Sequence, residues 1–383
     1  MKILADKHIP HIAEAIAGLG EAVIKHGSEM TAQDFKDIDA YLGRSVRKIG
    51  VAELEGSSLQ YVSTASAGFE HVDTAYLASR GIEFVSAAGC NATSVADYVL
   101  AALLELACER GFSLSGKSIG VVGVGNVGKR VALRCEALGM KVVRNDPPLE
   151  RETGNKIYRP IEEVQQCDII TFHTPLIKSG PYKTLGLFDS TFAAKMKQGT
   201  ILINASRGAV TDTNAVLDSI ASGKISDAVI DVWEGEPSIS FELLGAAYIA
   251  TPHIAGHALD SKVRAMRMVV DGLCRHFGIE KRINESDYLP APELPELTIK
   301  TSGESLEQTL LGAVRRVYDI RRDDAALREC MAMDKARAAT HFDMLRKNYP
   351  VRRELRNTQI TCGAELSGPF DAVFGHIESR HFG

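Results

Sequence analysis

Lys117-Ser-Ile-Gly-Val-Val-Gly123-Val-Gly125-Asn126-Val127-Gly128 is the stretch that decides the fold. Ile119 to Val122 read as a buried strand, three glycines follow at GxGxxG spacing, and the residues after Val127 carry a helical pattern. The glycine run alone is a weak signal, but between a strand and a helix it has a mechanical reading. The first two glycines let the chain turn tightly and bring backbone N–H groups near a pyrophosphate, and the third lets the helix pack on the strand. Asp146 ends the next strand, where its carboxylate can accept hydrogen bonds from the adenosine ribose and repel a 2′-phosphate, so NAD is expected rather than NADP. Two plainer readings stand beside these: a ligand-free glycine turn, and an Asp146 that is only the turn residue before Pro147-Pro148.

Downstream of this stretch, strands are expected near 118–122, 141–145, 168–172, 200–204, 228–232 and 248–251, with helices at 127–138, 161–166, 190–196 and 213–222. That alternation spells a doubly wound parallel-sheet domain over 94–255. Upstream, residues 2–5, 60–64 and 82–86 are strand-like and 11–19 and 73–80 helical. A long apolar helix runs from Ser94 to about Arg110, with Thr93 or Ser94 as its cap. Another helix, Ala258 to Phe277, is placed to return to the first domain, which would be discontinuous over 1–93 and 256–286. The prolines of Leu289-Pro-Ala-Pro-Glu-Leu-Pro295 mark a linker. Beyond it, a strand from Glu296 to Lys300, a helix near 304–317 and Gln359-Ile-Thr-Cys362 suggest a small α+β domain over 287–383.

The bulk numbers exclude several function classes. Hydrophobic residues make up 45% and charged residues 24% of the 383, ordinary for a globular protein with real cores. The net charge of −5, with no basic tract, argues against nucleic acid, and an anionic substrate would need a local basic cluster. The cysteines (Cys90, Cys108, Cys135, Cys167, Cys274, Cys330, Cys362) are scattered without a CxxC pair, so reduced thiols are expected, with no disulfide frame and no metal site. The longest apolar stretch, Tyr98 to Cys108, is broken by Glu105 and falls short of the ~20 residues a bilayer requires. With no apolar signal region at the start, no membrane partner and a cytoplasmic location are expected.

Three short contexts downstream of the glycine run carry chemistry: Asn204-Ala205-Ser206-Arg207-Gly-Ala, Asp231-Val-Trp-Glu-Gly-Glu236-Pro237 and Thr251-Pro-His253-Ile-Ala-Gly256. A guanidinium can fork onto a carboxylate. An imidazole can exchange a proton near neutral pH, and a carboxylate can hold that imidazole in one tautomer. Beside a dinucleotide site, these are the parts needed to move a hydride to or from a hydroxy acid. By residue type alone Glu234 competes with Glu236, and His71, His173 and His257 compete with His253.

These motifs resemble those of the D-isomer-specific 2-hydroxyacid dehydrogenases, over about residues 40 to 280. The resemblance implies an NAD-binding Rossmann domain inserted in a flavodoxin-like substrate domain, with the active site in the cleft between them. It places the family's arginine, acid and histidine on Arg207, Glu236 and His253, the acid lying just before Pro237. It also implies that Thr174, Ala205, Ser206, Asp231 and Gly256 line the cofactor beside the glycine loop. Arg44-Ser45-Val46 and Ser66-Ala-Gly68 match the family's substrate loops; Ser66 stands where threonine is more usual, and His257 where tyrosine is expected.

Further stretches narrow the resemblance to one branch of the family: Gly89-Cys-Asn-Ala92, Phe172-His-Thr-Pro-Leu176, Gly180-Pro-Tyr-Lys-Thr184, Val317-Tyr-Asp-Ile-Arg-Arg-Asp-Asp324 and Leu345-Arg-Lys-Asn-Tyr349. That branch implies a small-molecule phosphorylated 2-hydroxy acid as substrate and a homodimer formed through the C-terminal domain. Arg44 is then the first candidate for the distal phosphate, with Arg346 or Lys347 of a second subunit behind it. Two rivals remain: a dehydrogenase for another 2-hydroxy acid such as phosphoglycerate, and a corepressor-like protein that senses NAD(H) without turnover.

Overall fold

The computed structural model describes residues 1–300 and 303–375. One sheet holds five parallel strands, β1 (Lys2–Asp6), β2 (Glu21–Lys25), β3 (Ala40–Gly43), β4 (Tyr61–Thr64) and β5 (Glu83–Ser86), in the order β2-β1-β3-β4-β5. Strand alternation sets its two faces: Ile3, Ala5, Leu42 and Tyr61 join one core, and Leu4, Tyr41 and Val62 the other. Helix Leu259–His276 covers the first face through Val263, Met266, Val269, Val270 and Leu273. Fully burying each such side chain contributes about 1.5–3 kcal/mol. The helix lies so close to β4 that a Cβ on Gly272 would come 2.3 Å from the Tyr61 hydroxyl, which donates to the Val269 carbonyl at 3.2 Å.

The order is the flavodoxin-like one. Two of its strands escape the sequence pattern. β2 is a largely exposed edge strand and β3 only four residues long, so neither shows a marked hydrophobic signal. The helix expected over 11–19 shrinks to Ile12–Ala15, and Gly18 at φ +79° helps turn the chain after it.

The second sheet has six parallel strands: β6 (Ser118–Val122), β7 (Lys141–Asn145), β8 (Ile169–Phe172), β9 (Thr200–Asn204), β10 (Ile225–Ile230) and β11 (Ile249–Ala250). Their order is β11-β10-β9-β8-β6-β7, so strand order reverses between β6 and β8. Ligands of open parallel sheets bind at such a switch point, outside the carboxyl ends of the strands.

Helix Ala92–Arg110 begins before the expected start, which puts Thr93 and Ser94 inside it instead of at its cap. It is apolar on nearly every side because it is enclosed, with strand residues Ile119 and Val121 and the C-terminal Leu310 and Val314 in one core.

Met1–Asn91 and Ala258–Ala291 form one compact unit; Ala92–His257 and Pro292–Gly383 form the other. The sequence sets 287–383 apart as a domain, yet its described helices share the cores of the six-stranded sheet. Helix Leu306–Val317 packs on Ala92–Arg110, while Leu327, Ala338 and Phe342 join Phe172, Trp233 and Ile239. Strands β12 (Glu296–Thr298) and β13 (Gln359–Thr361) add a small parallel pair. Among the described residues no helix is long and apolar enough to cross a membrane, and no His/Cys/Asp/Glu cluster is suited to a metal ion.

Candidate active site

Every expected cofactor and catalytic position in the second unit follows the carboxyl end of a strand. Gly123 comes after β6, Asp146 after β7, Thr174 after β8, Ala205 to Arg207 after β9, Asp231 after β10 and His253 after β11. The glycine loop has the shape its spacing implies. Gly123 sits at φ +84°, and a Cβ there would lie 2.8 Å from the His173 carbonyl oxygen. A Cβ on Gly128 would lie 1.9 Å from the Gly123 carbonyl oxygen, so only glycine lets helix Asn126–Ala137 approach the strand. Gly125 faces open space, with nothing within 4 Å of its Cβ direction, and no side chain caps the helix N-terminus at Asn126 and Val127.

Open space over an uncapped helix N-terminus suits a pyrophosphate. Two polar atoms at the neighbouring switch point, Thr174 Oγ1 and His173 Nδ1, are buried without a partner among the described residues. Burial pushes the His173 imidazole down to about 3. These residues fit a bound dinucleotide. Asp146 serves the fold as well: its carboxylate accepts from Val124 N–H at 2.8 Å and caps helix Pro147–Thr153 through Leu149 N–H at 3.1 Å. It therefore has a structural role as a helix cap, with its carboxylate at the end of β7, where a ribose is expected.

The three catalytic candidates are gathered by their loops. Asn204 folds the first loop, its Oδ1 accepting from Ser206 N–H (3.1 Å) and Ser206 Oγ (2.9 Å), its Nδ2 donating to the Arg207 carbonyl (3.1 Å). Gly208 then lies so close to the Trp233 backbone that a Cβ would meet it at 2.0 Å, which brings the Arg207 loop against the loop that carries Glu236. Glu236 Oε1 meets His253 Nδ1 at 2.5 Å, and Oε2 accepts from Trp233 N–H at 3.2 Å. Glu234 instead accepts from Thr213 at the start of another helix, so the histidine pairs with Glu236. Burial works to raise the Glu236 carboxyl, but the His253 hydrogen bond and charge, the Trp233 N–H and the Arg346 charge together hold it below its ordinary value.

His253 has φ +55°, a conformation that costs a side chain about 1–3 kcal/mol and persists only where its surroundings fix it. Its N–H donates to the carbonyls of Asp231 (2.7 Å) and Thr251 (3.0 Å). The buried Asp231 carboxylate accepts from Thr251 Oγ1 (2.7 Å), Ile254 N–H (2.8 Å) and Ala255 N–H (3.1 Å). Complete burial still pushes its pKa up, against the His253 charge and these three donors.

The expected substrate residues divide. His257 closes the histidine loop, its ring edge-on to Tyr349 at 5.8 Å. Arg44, Ser45, Ser66 and Gly68 belong to the first unit, just past β3 and β4. Arg44 donates from Nε (3.1 Å) and Nη2 (3.5 Å) to the buried Asp6 carboxylate. Ser66 Oγ donates to the Gly68 carbonyl at 2.8 Å, which shapes the small-residue turn. Of the competing histidines, His71 meets Thr64 Oγ1 (3.1 Å) and His173 meets Thr171 Oγ1 (2.9 Å), neither a carboxylate.

Sequence reasoning misses Asn204, Thr251 and Tyr98, whose hydroxyl meets Thr251 Oγ1 at 2.8 Å, and the C-terminal residues around Arg352. Asn204 and Thr251 open motifs already singled out, without a role of their own; nothing local marks Tyr98 or Arg352.

Residues 102–255 match the family of the D-isomer specific 2-hydroxyacid dehydrogenase NAD binding domain, and residues 288–370 match a domain of unknown function. Erythronate-4-phosphate dehydrogenases of Shigella flexneri serotype 5b and Escherichia coli O1:K1 are each 44% identical over 363 residues, 94% of either chain. Among solved structures, NAD-dependent formate dehydrogenase from Staphylococcus aureus in complex with NAD superposes with TM-score 0.59 at 24% identity, covering 74% of this chain and 98% of its own. NAD-bound 3-phosphoglycerate dehydrogenase of Entamoeba histolytica gives 0.61 at 23%, with coverages of 74% and 99%; these two show the fold alone. The chain belongs to the erythronate-4-phosphate dehydrogenase family, a branch of the D-isomer specific 2-hydroxyacid dehydrogenases.

Proposed function

We propose that this chain oxidises 4-phospho-D-erythronate at C2 to 2-oxo-3-hydroxy-4-phosphobutanoate, reducing NAD, as a step of pyridoxal 5′-phosphate biosynthesis. The observation that carries the reading is the His253–Glu236 pair at 2.5 Å, on loops beside Arg207 and the glycine-loop sheet, in a chain 44% identical to erythronate-4-phosphate dehydrogenases. When bound, NAD accepts the hydride from C2. The residues of this chain do the rest. Glu236, an ionised acceptor, keeps the imidazole proton on Nδ1, so Nε2 carries the lone pair that takes the C2 hydroxyl proton. The C2–O double bond forms as the C2–H bond breaks, and the protonated imidazole is stabilised by Glu236. Arg207 forks onto the C1 carboxylate with a donor left for the C2 oxygen.

The cofactor lies over Gly123, Gly125, Asn126, Val127 and Gly128. Asp146 holds the ribose, and Thr174, Ala205, Ser206, Asp231 and Gly256 line the nicotinamide side. Thr174 Oγ1, buried without a partner among the described residues, supports this. Ser45, Ser66, Gly68 and His257 grip the substrate, and Arg44 meets the distal phosphate with the edge not turned to Asp6.

The C-terminal segment forms a homodimer in the cytoplasm. Supporting the dimer, Met331, Met344 and Val351 leave apolar surface exposed there. Sedimentation at a dimer mass is expected, and a monomer at micromolar concentration would contradict it.

NADH absorbance at 340 nm tests the reaction, with 4-phospho-D-erythronate, 3-phosphoglycerate and D-lactate run in parallel. Turnover with the first alone is expected. Turnover with another acid would keep the chemistry and overturn the substrate. Silence with all three, in protein shown to bind NAD, would favour an NAD(H)-sensing role.

A further inference from the structure

The loop Thr251–His257 carries His253, and its N–H side is held by Asp231. Its carbonyl side meets residues from far along the chain. Arg352, only 5% exposed, donates through Nη2 to the Ala255 carbonyl and, at 3.4 Å, to the Ser94 carbonyl. Its guanidinium lies 4.3 Å from the centre of the Tyr318 ring and 6.0 Å from that of Tyr349. Tyr349 in turn meets the His257 ring and donates to Asp323 Oδ2 at 2.6 Å.

The backbone around Arg352 is itself anchored. Leu355 N–H donates to Asp97 Oδ2 at 3.0 Å, and Ser94 Oγ donates to the fully buried Glu354 at 3.0 Å. Asp97 is also paired with Arg134 at 2.6 Å. These anchors lie in the first two turns of helix Ala92–Arg110, Ser94 one turn before Tyr98 and Asp97 next to it; Tyr98 reaches Thr251 at the other end of the same loop.

A buried cation is costly unless a carboxylate is paired directly with it, and Nη2 of Arg352 donates instead to two carbonyls. Its Nη1 is buried without a partner among the described residues. Burial works against its charge, and the nearby Asp323 and Asp97 carboxylates favour it, so the guanidinium stays charged. What the group does achieve is geometric: it ties the peptide two residues past His253 to a rigid helix start.

We propose that Arg352 is a positioning residue for the oxidation, holding the Ala255 carbonyl so that His253 keeps its geometry against Glu236; the C-terminal segment is then part of the catalytic apparatus as well as a surface for assembly. This rests on the function proposed above. It deepens that reading by adding a group that touches neither substrate nor cofactor.

Arg352→Met and Arg352→Lys, compared with the unaltered enzyme, test it. Misplacing a reacting group by an ångström can cost up to about 10²-fold, so kcat of the Met variant should fall roughly 10- to 100-fold. KM for 4-phospho-D-erythronate should stay within about 2-fold, because the loss lies in the transition state and not in substrate grip. Lysine keeps the charge without the fork and should restore only part of kcat. A purely structural role would lower Tm and the folded fraction but leave kcat per folded molecule unchanged. Either soluble variant with unchanged kcat per folded molecule would overturn the proposal.

If the Met variant does not fold, the Lys variant decides alone, through a lowered kcat at normal Tm or an unaltered one. The ¹⁵N shifts of the His253 ring, assigned by their loss in His253→Gln, give a readout independent of turnover. Should the unaltered enzyme oxidise none of the three acids, the function reading fails. The positioning claim is then settled by those shifts, moved in Arg352→Lys if it is right and identical if it is wrong.

Discussion

Two buried charges hold the loop that carries His253, and they hold it in different ways. Asp231, directly after β10, is saturated: one hydroxyl and two backbone N–H groups converge on it, and its own carbonyl takes the His253 N–H. Arg352, from the far end of the chain, donates through Nη2 to two carbonyls, lies over the Tyr318 ring and leaves Nη1 without a hydrogen-bond partner among the described residues. A saturated network fixes a conformation at the expense of adjustability, since removing any member strands its partners. An underfilled one leaves room for the loop to be tuned. The first is built at the end of a strand of the six-stranded sheet; the second reaches the loop from the C-terminal segment.

Removing what the loop carries should have the largest effect. His253→Gln should lower kcat by about 10²–10⁴-fold, the usual worth of an acid–base group, with NADH affinity retained in a fluorescence titration. A smaller loss than that of Arg352→Met would invert the comparison, because the grip would then matter more than the group it positions. Next comes the carboxylate. Glu236→Gln should cost kcat roughly 10²-fold, at the lower end of that range, whereas Glu234→Gln should change it by less than about 2-fold. Equal losses would mean that the 2.5 Å pairing with His253 is not what counts.

The saturated side is tested by Asp231→Asn. An amide there turns a donor toward buried donors, and each group left unsatisfied costs about 1–3 kcal/mol, so a lowered midpoint in urea is expected. Unchanged stability would show that the Asp231 network is no tighter than that of Arg352. The smallest effect concerns pH. His173 is neutral in the fold, pushed down to about 3, while its unfolded value lies near 6.5. Between those values the unfolded chain binds the extra proton, so stability rises with pH across that window and is lost as pH falls through it. His173→Asn should flatten the pH dependence of Tm between pH 6.5 and 3; an unchanged slope would count against the buried neutral imidazole.

How far the sequence discloses these parts follows from how local they are. The glycine loop, Asp146, Arg207, Asp231, Glu236 and His253 each sit one to three residues past a strand of the six-stranded sheet, or a few residues further on. A hydrophobic run followed by an odd residue is visible without coordinates. The choice of Glu236 over Glu234 depends on which carboxylate turns back to His253, which residue type cannot tell. β2 is hidden because an exposed edge strand needs no apolar face, and β3 because four residues give no period.

Arg352 is hidden for a different reason. Its contacts reach across most of the chain to Ser94 and Ala255, and locally Val351-Arg-Arg-Glu354 reads as a charged surface run. A long apolar helix from Ser94 to about Arg110 is legible, but not that C-terminal helices help to enclose it.

The central claim is that the C2 hydride leaves 4-phospho-D-erythronate as His253 takes the hydroxyl proton. Stopped-flow absorbance at 340 nm tests it most directly, with excess NAD and substrate carrying deuterium at C2 or, separately, at C3. NADH should form in the first turnover, slowed by deuterium at C2 and not at C3. NADH formation insensitive to C2 deuterium but slowed at C3, or none in protein shown to bind NAD, would contradict it.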